Sequence, residues 1–183
     1  MLALVCQIAN SSKTNDDGDT TFFVVGDYGV VEWMNYPNSV FDQINGVVGA
    51  AEEHSISDPE FFVTVGDNIY PAIYDAPTVE EFELMVGLFN RSNIADLPVW
   101  NVRGNHDAYF NWTYELLLSM DQKQWQLPSF WYTKLVPSGK DGELLGLLFI
   151  DSVLMACSNY TNLAPEDIQD KEMKQVRQSI CNN

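Results

Sequence analysis

The sequence predicts an α/β fold built on a mostly parallel sheet. Three observations carry that prediction: short apolar runs that each stop at a glycine, amphipathic stretches of helical period between them, and strand starts spaced evenly at Phe22, Phe61 and Val99. Even spacing of that length leaves room for a crossover helix between neighbouring parallel strands, and such crossovers are right-handed. At 183 residues and 46% apolar content the chain fits one domain with a buried core.

The elements follow in order. "MLALVCQIA" is a short apolar start without a charged lead, and with the polar stretch Lys13 to Asp19 it reads as a clipped signal peptide and lead over residues 1–20. Phe22 to Val25, stopped by Gly26, is a buried strand. Val40, Phe41, Ile44, Val47 and Val48 recur at helical spacing until "SISDPE" interrupts them. Phe61 to Val65, stopped by Gly66, is the second strand. "PTVEEFELMVGLF" opens with Thr78 and Glu81 at capping-box spacing and is the second helix. Pro98 introduces a third strand, Val99 to Val102. A helix follows around Tyr114 to Met120, then a short strand near Trp131 to Leu135 and the apolar "LLGLLFIDS", Leu144 to Ser152, which reads as an inner strand. "IQDKEMKQVRQSI" reads as a surface helix.

Composition excludes some partners. Nine basic against 26 acidic residues give a net charge of -17, which opposes nucleic acid and anionic membrane surfaces because phosphate contacts need Lys and Arg. No run reaches the roughly 18 apolar residues that a membrane span requires. Four sequons, at Asn10, Asn90, Asn111 and Asn159, point to a glycoprotein on a secretory route. Cys157 and Cys181 are either a bridge or two free thiols, and Cys6 lies in the apolar start.

The chemistry sits where the runs stop. "GDYG" brings Asp27, "GDNIY" brings Asp67, and "GNHD" brings Asn105, His106 and Asp107. A single Gly-Asp is ordinarily a tight turn in which glycine takes the strained dihedral. Recurrence changes that reading, because parallel strands deliver all three groups to one carboxyl edge, where ligands bind. Aspartate and asparagine oxygens are hard donors, and a carboxylate can bridge two cations.

The ordered set "GDYG", "GDNIY", "GNHD" resembles the first three blocks of the calcineurin-like metallophosphoesterases. With Tyr70 it is similar to the purple, tartrate-resistant acid phosphatases over roughly Phe22 to Asn162, including "LPVWNVRGNHD" and "FIDSVLMACSN". The resemblance implies the amino-terminal portion of a four-layer α/β/β/α sandwich, with residues 21–183 as a metallophosphoesterase domain truncated on its C-terminal side. It implies that Asp27 and Tyr70 hold Fe(III), that Asp67 bridges, and that Asn105 holds a second divalent metal, Fe, Zn or Mn. His106 is then the group that meets the substrate phosphate and protonates the leaving alkoxide, with Asp107 orienting its imidazole.

The implied reaction is attack on phosphorus by a metal-activated hydroxide, on a small phosphate ester or a phosphoprotein, in a secreted or lysosomal/vacuolar setting. The family's later "GHxP"-like and "GHxH"-like blocks do not occur in the 183 residues, and His54 has no matching context. These residues alone are therefore expected to be weak or inert. Cys157 stands where the family places a half-cystine whose partner lies further along. Two alternatives stay open: a non-catalytic secreted phosphatase-like binding module, and a phosphodiesterase or nucleotidase of the same superfamily.

Overall fold

The computed structural model describes residues 2–8, 20–29, 35–50, 58–70, 78–110, 114–138 and 143–152. The lead Lys13 to Asp19, His54, the sequons at Asn10, Asn111 and Asn159, Cys157, Cys181 and the helix expected after Ile168 lie outside the described residues.

The apolar runs become a sheet. β1 (Leu2–Ile8) pairs antiparallel with β2 (Thr20–Gly26), Leu2 opposite Gly26 and Ile8 opposite Thr20. β2 then runs parallel to β3 (Pro59–Thr64), β3 to β4 (Val99–Trp100), and β4 to β5 (Trp125–Gln126). The order is β1-β2-β3-β4-β5, so four parallel strands carry one antiparallel edge. β5 is absent from the sequence reading because two residues make no apolar run.

Helices cover one face. α1 (Asn35–Gly49) and α2 (Val79–Gly87) fall where the helical periodicity predicts them. The capping box at α2 is closed: Thr78 Oγ1 accepts the Glu81 amide at 3.2 Å, and the Glu81 carboxylate accepts the Thr78 amide at 2.7 Å. α3 (Asn105–Phe110) and α4 (Tyr114–Asp121) follow β4. No helix among the described residues is long and apolar enough to cross a membrane.

Side-chain alternation splits the sheet into two faces. Phe23, Val25, Phe62 and Val99 pack with Phe41, Ile44, Phe82, Met85 and Phe89 on the helix side. Phe22, Phe61 and Trp100 pack on the other side against Val136 and Phe149. Phe61 stacks between Phe22 and Trp100, with centroid distances of 4.7 Å to each. Both faces are covered, which is why these strands read as continuous apolar runs.

The second face is covered by a hairpin, β6 (Trp131–Ser138) and β7 (Glu143–Ile150), paired antiparallel with Trp131 opposite Ile150. Here the expectation of an inner strand at Leu144 to Ser152 is corrected. Phe149 is buried against Trp100, whereas Leu144, Leu148 and Ile150 are exposed. An apolar run cannot by itself distinguish a strand with two covered faces from one with a single covered face. Helices, sheet and hairpin together give three layers.

Candidate metal centre

Three loops leave the carboxyl ends of β2, β3 and β4, and they touch. The Asp27 amide donates to Gly66 O at 3.2 Å, and the Tyr70 amide donates to Gly29 O at 2.8 Å. A Cβ at Gly29 would lie 1.8 Å from Asn68 O, and one at Gly104 would lie 2.1 Å from Asp67 Oδ1. Only glycine permits these approaches. The aspartates themselves carry strain, with φ of 54° at Asp27 and 51° at Asp67, a left-handed region that Asp tolerates better than most residues. The turn reading places the strained dihedral on glycine; in the structure both aspartates adopt it, and of the glycines before them only Gly66 does, at φ 95°.

The expected ligands at Asp27, Asp67 and Tyr70 meet. Tyr70 Oη donates to Asp67 Oδ2 at 2.7 Å and also lies against Asp27 Oδ1. Burial, followed by the hydrogen bonds to Asp27 and Asp67, pushes the Tyr70 phenol well above its ordinary range. One phenolic proton therefore serves two carboxylates, which leaves one oxygen pair in contact without a proton between them. A hard cation fits that arrangement by replacing the proton and neutralising all three oxygens.

Asn105 and His106 reach the same rim. Asn105 is exposed at the start of α3 and lines a cleft of about 560 Å³ together with Asp27, Asp67 and Gly104. The His106 amide donates to Asp67 Oδ1 at 3.0 Å, and its ring lies 4.2 Å from that of Tyr70, tilted by 40°. Among the described residues no three side chains of His, Cys, Asp or Glu gather at one point. A metal ion held here would need the Tyr70 phenol and the Asn105 amide as well as the two carboxylates.

Asp107 is buried between two loops. Both of its carboxylate oxygens accept backbone amides, Ile69 at 2.8 Å and Gly104 at 2.7 Å, so it ties the Asp67 loop to the Asn105 loop. Its carboxyl is pushed up to about 7 by burial, against the opposing pull of those amides.

Sequence reasoning missed the polar groups beneath the rim. Asn68 Nδ2 donates to Val102 O at 3.0 Å and to the buried Glu115 carboxylate at 3.3 Å. Arg103 Nε donates to Asp151 Oδ2 at 2.9 Å, with Nη2 on the same oxygen. Asn68 carries a signal, since it sits inside "GDNIY". Arg103, Glu115 and Asp151 carry none, because partners so distant in sequence form no pattern.

With the three loops on one rim, the chain's kinship can be judged. Residues 20–174 match the family model described as Calcineurin-like phosphoesterase. The chain belongs to this family. Within the calcineurin-like phosphoesterases it is similar to tartrate-resistant acid phosphatase type 5 of Rattus norvegicus, 26% identical over 142 residues, covering 75% of this chain and 42% of that protein. The Sus scrofa protein of the same name is 26% identical over 165 residues, covering 86% and 47%. The Homo sapiens one is 23% identical over 163 residues, covering 87% and 49%. The chain spans under half the length of these relatives.

Proposed function

We propose that these residues form the amino-terminal, metal-binding part of a phosphoric monoester hydrolase of the acid phosphatase type. The observation that carries the reading is the meeting of Asp27, Asp67 and Tyr70 oxygens beneath the His106 ring. Similarity to proteins named acid phosphatases supports it.

In this reading Asp27 and Tyr70 would hold Fe(III), Asn105 would hold a divalent Fe, Zn or Mn, and Asp67 would be shared by the two. Bound, this cation pair supplies positive charge for the phosphoryl oxygens and acidifies a water nucleophile. Tyr70 would serve such a cation as a phenolate. His106, held by its backbone bond to Asp67 and by Tyr70's ring, contacts the substrate phosphate and returns a proton to the leaving alkoxide. Asp107 keeps the two loops in register. The substrates in this reading are small phosphate esters or phosphoproteins, and the location is secreted or lysosomal/vacuolar, with Asn90 exposed as a glycan acceptor.

The test is release of p-nitrophenol from its phosphate ester at mildly acidic pH, by the longest natural translation product containing these residues, loaded with Fe(III) and Zn(II). Turnover lost in His106→Ala supports the reading; equal turnover in the two proteins overturns it. The 183 residues alone are expected to be weak or inert, since they contain neither later histidine block.

A further inference from the structure

Arg103 stands directly before Gly104, Asn105 and His106, and its side chain is fully buried at 0% exposure. Its guanidinium lies 4.0 Å from the centroid of the Phe130 ring and donates twice to Asp151 Oδ2. The Asp151 amide in turn donates to Phe130 O at 3.1 Å. Phe130 precedes β6 and Asp151 follows β7, so Arg103 is clamped on the base of the hairpin. Tyr132 adds a parallel tie, its hydroxyl donating to Asn101 O at 2.8 Å.

Two tasks are open to a cation at this place. Arg103 lines the cleft, but a phosphate clamp needs guanidinium nitrogens open to it, whereas this side chain is fully buried and turned onto the Asp151 carboxylate. Stability alone is also a poor account, because apolar residues of similar volume replace a buried ion pair at no loss or with a gain. What the pair supplies is direction: a planar fork on one side and an aromatic face on the other admit few orientations of the backbone at residue 103.

We propose that Arg103 is a positioning residue which, anchored on Asp151 and Phe130, fixes the loop presenting Asn105 and His106 at the distance from Asp67 that the second cation requires. The inference rests on the metallohydrolase reading above. It assigns to the hairpin, which carries none of the expected ligands though β7 lines the same cleft, the task of setting half of the proposed metal rim.

The test compares the longest natural translation product containing these residues with its Arg103→Met, Asp151→Leu double variant and with Arg103→Lys. Amide hydrogen exchange is followed at residues 104–107 and referenced to β2 and β3, and Mn2+ affinity is measured by titration calorimetry. The double variant is expected to keep protection in β2 and β3, to exchange about tenfold faster in the loop, and to bind Mn2+ about 10–100-fold more weakly, as for other residues that orient metal ligands. Arg103→Lys should fall between, because an ammonium lacks the planar fork. Unchanged loop exchange and unchanged Mn2+ affinity in the double variant would overturn the proposal, whatever happens to its melting temperature. If the parent chain takes up no Mn2+, the metallohydrolase reading fails, and the exchange measurement still decides whether Arg103 fixes the loop.

Discussion

The two halves of the rim are held in opposite ways. Asp27, Asp67 and Tyr70 hold one another through their own side-chain oxygens, so the proposed ligands are also the fastening. Asn105 and His106 are fastened by other groups: the Asp67 carboxylate on the His106 amide, Asp107 on the Gly104 amide, and Asp151 on Arg103. The difference teaches where damage should spread. A change in the first half removes metal and fastening together, whereas the second half can lose its chemistry and keep its shape.

The largest effect is expected at Asp67, which serves both halves. Asp67→Asn, a residue that also accepts the left-handed φ, should abolish iron uptake, measured by metal analysis, and lower turnover by about 10²–10³-fold or more. His106→Ala tests the second half alone: turnover should fall by about 10²–10⁴-fold while bound iron stays equal to the parent's. Tyr70→Phe sharpens the first half. It should remove the visible charge-transfer absorbance that an iron-phenolate bond produces, and weaken Fe(III) by about 10–100-fold if its contribution is like that of other groups that tune a metal site.

A stability change joins the two halves. Gly104→Ala forces a methyl group toward Asp67 Oδ1 and should cost about 1–3 kcal/mol, read from denaturant unfolding, with loss of iron as well. The smallest effect is expected below the rim, at Glu115. Burial first, then the charge of Asp107, raises its carboxyl well above the ordinary value of 4.5; Arg103 and the Asn68 amide oppose the shift, and Asp151 adds to it. A raised value in the fold means the protonated acid is the form the fold prefers, so this stabilisation is complete below pH 4.5 and declines as pH rises above it. Glu115→Gln should therefore raise the melting temperature near neutral pH and leave it unchanged in acid.

Much of the scaffold was legible because its signals are local. Phe22 to Val25 and Phe61 to Val63 are unbroken apolar runs, and they lie in strands covered on both faces. Thr78 and Glu81 announce a helix start by spacing alone. Asp27, Asp67 and Asn105 were legible as candidates for a related reason, since each follows a glycine that stops an apolar run, whereas Tyr70 came only from the family resemblance. The groups that fasten the second half were not. Arg103 and Asp151 are 48 positions apart, and nothing in either neighbourhood announces a buried pair. Asp107 was assigned to its sequence neighbour, His106, while its hydrogen bonds run to Gly104 and to Ile69 in another loop. β7 misled for a third reason: leucines on its open face look the same in sequence as leucines in a core.

That open face has a colloidal consequence. Leu135, Leu144, Leu148 and Ile150 stand 61%, 59%, 67% and 41% uncovered on one small ribbon, an adhesive area of the kind that draws molecules together. The surplus of 17 negative charges keeps copies apart over roughly a Debye length, about 10 Å at 0.1 M salt. Concentrated electrolyte removes that repulsion and strengthens the attraction between leucines. Light scattering by this chain should accordingly rise with ionic strength, and Leu148→Lys should suppress the rise.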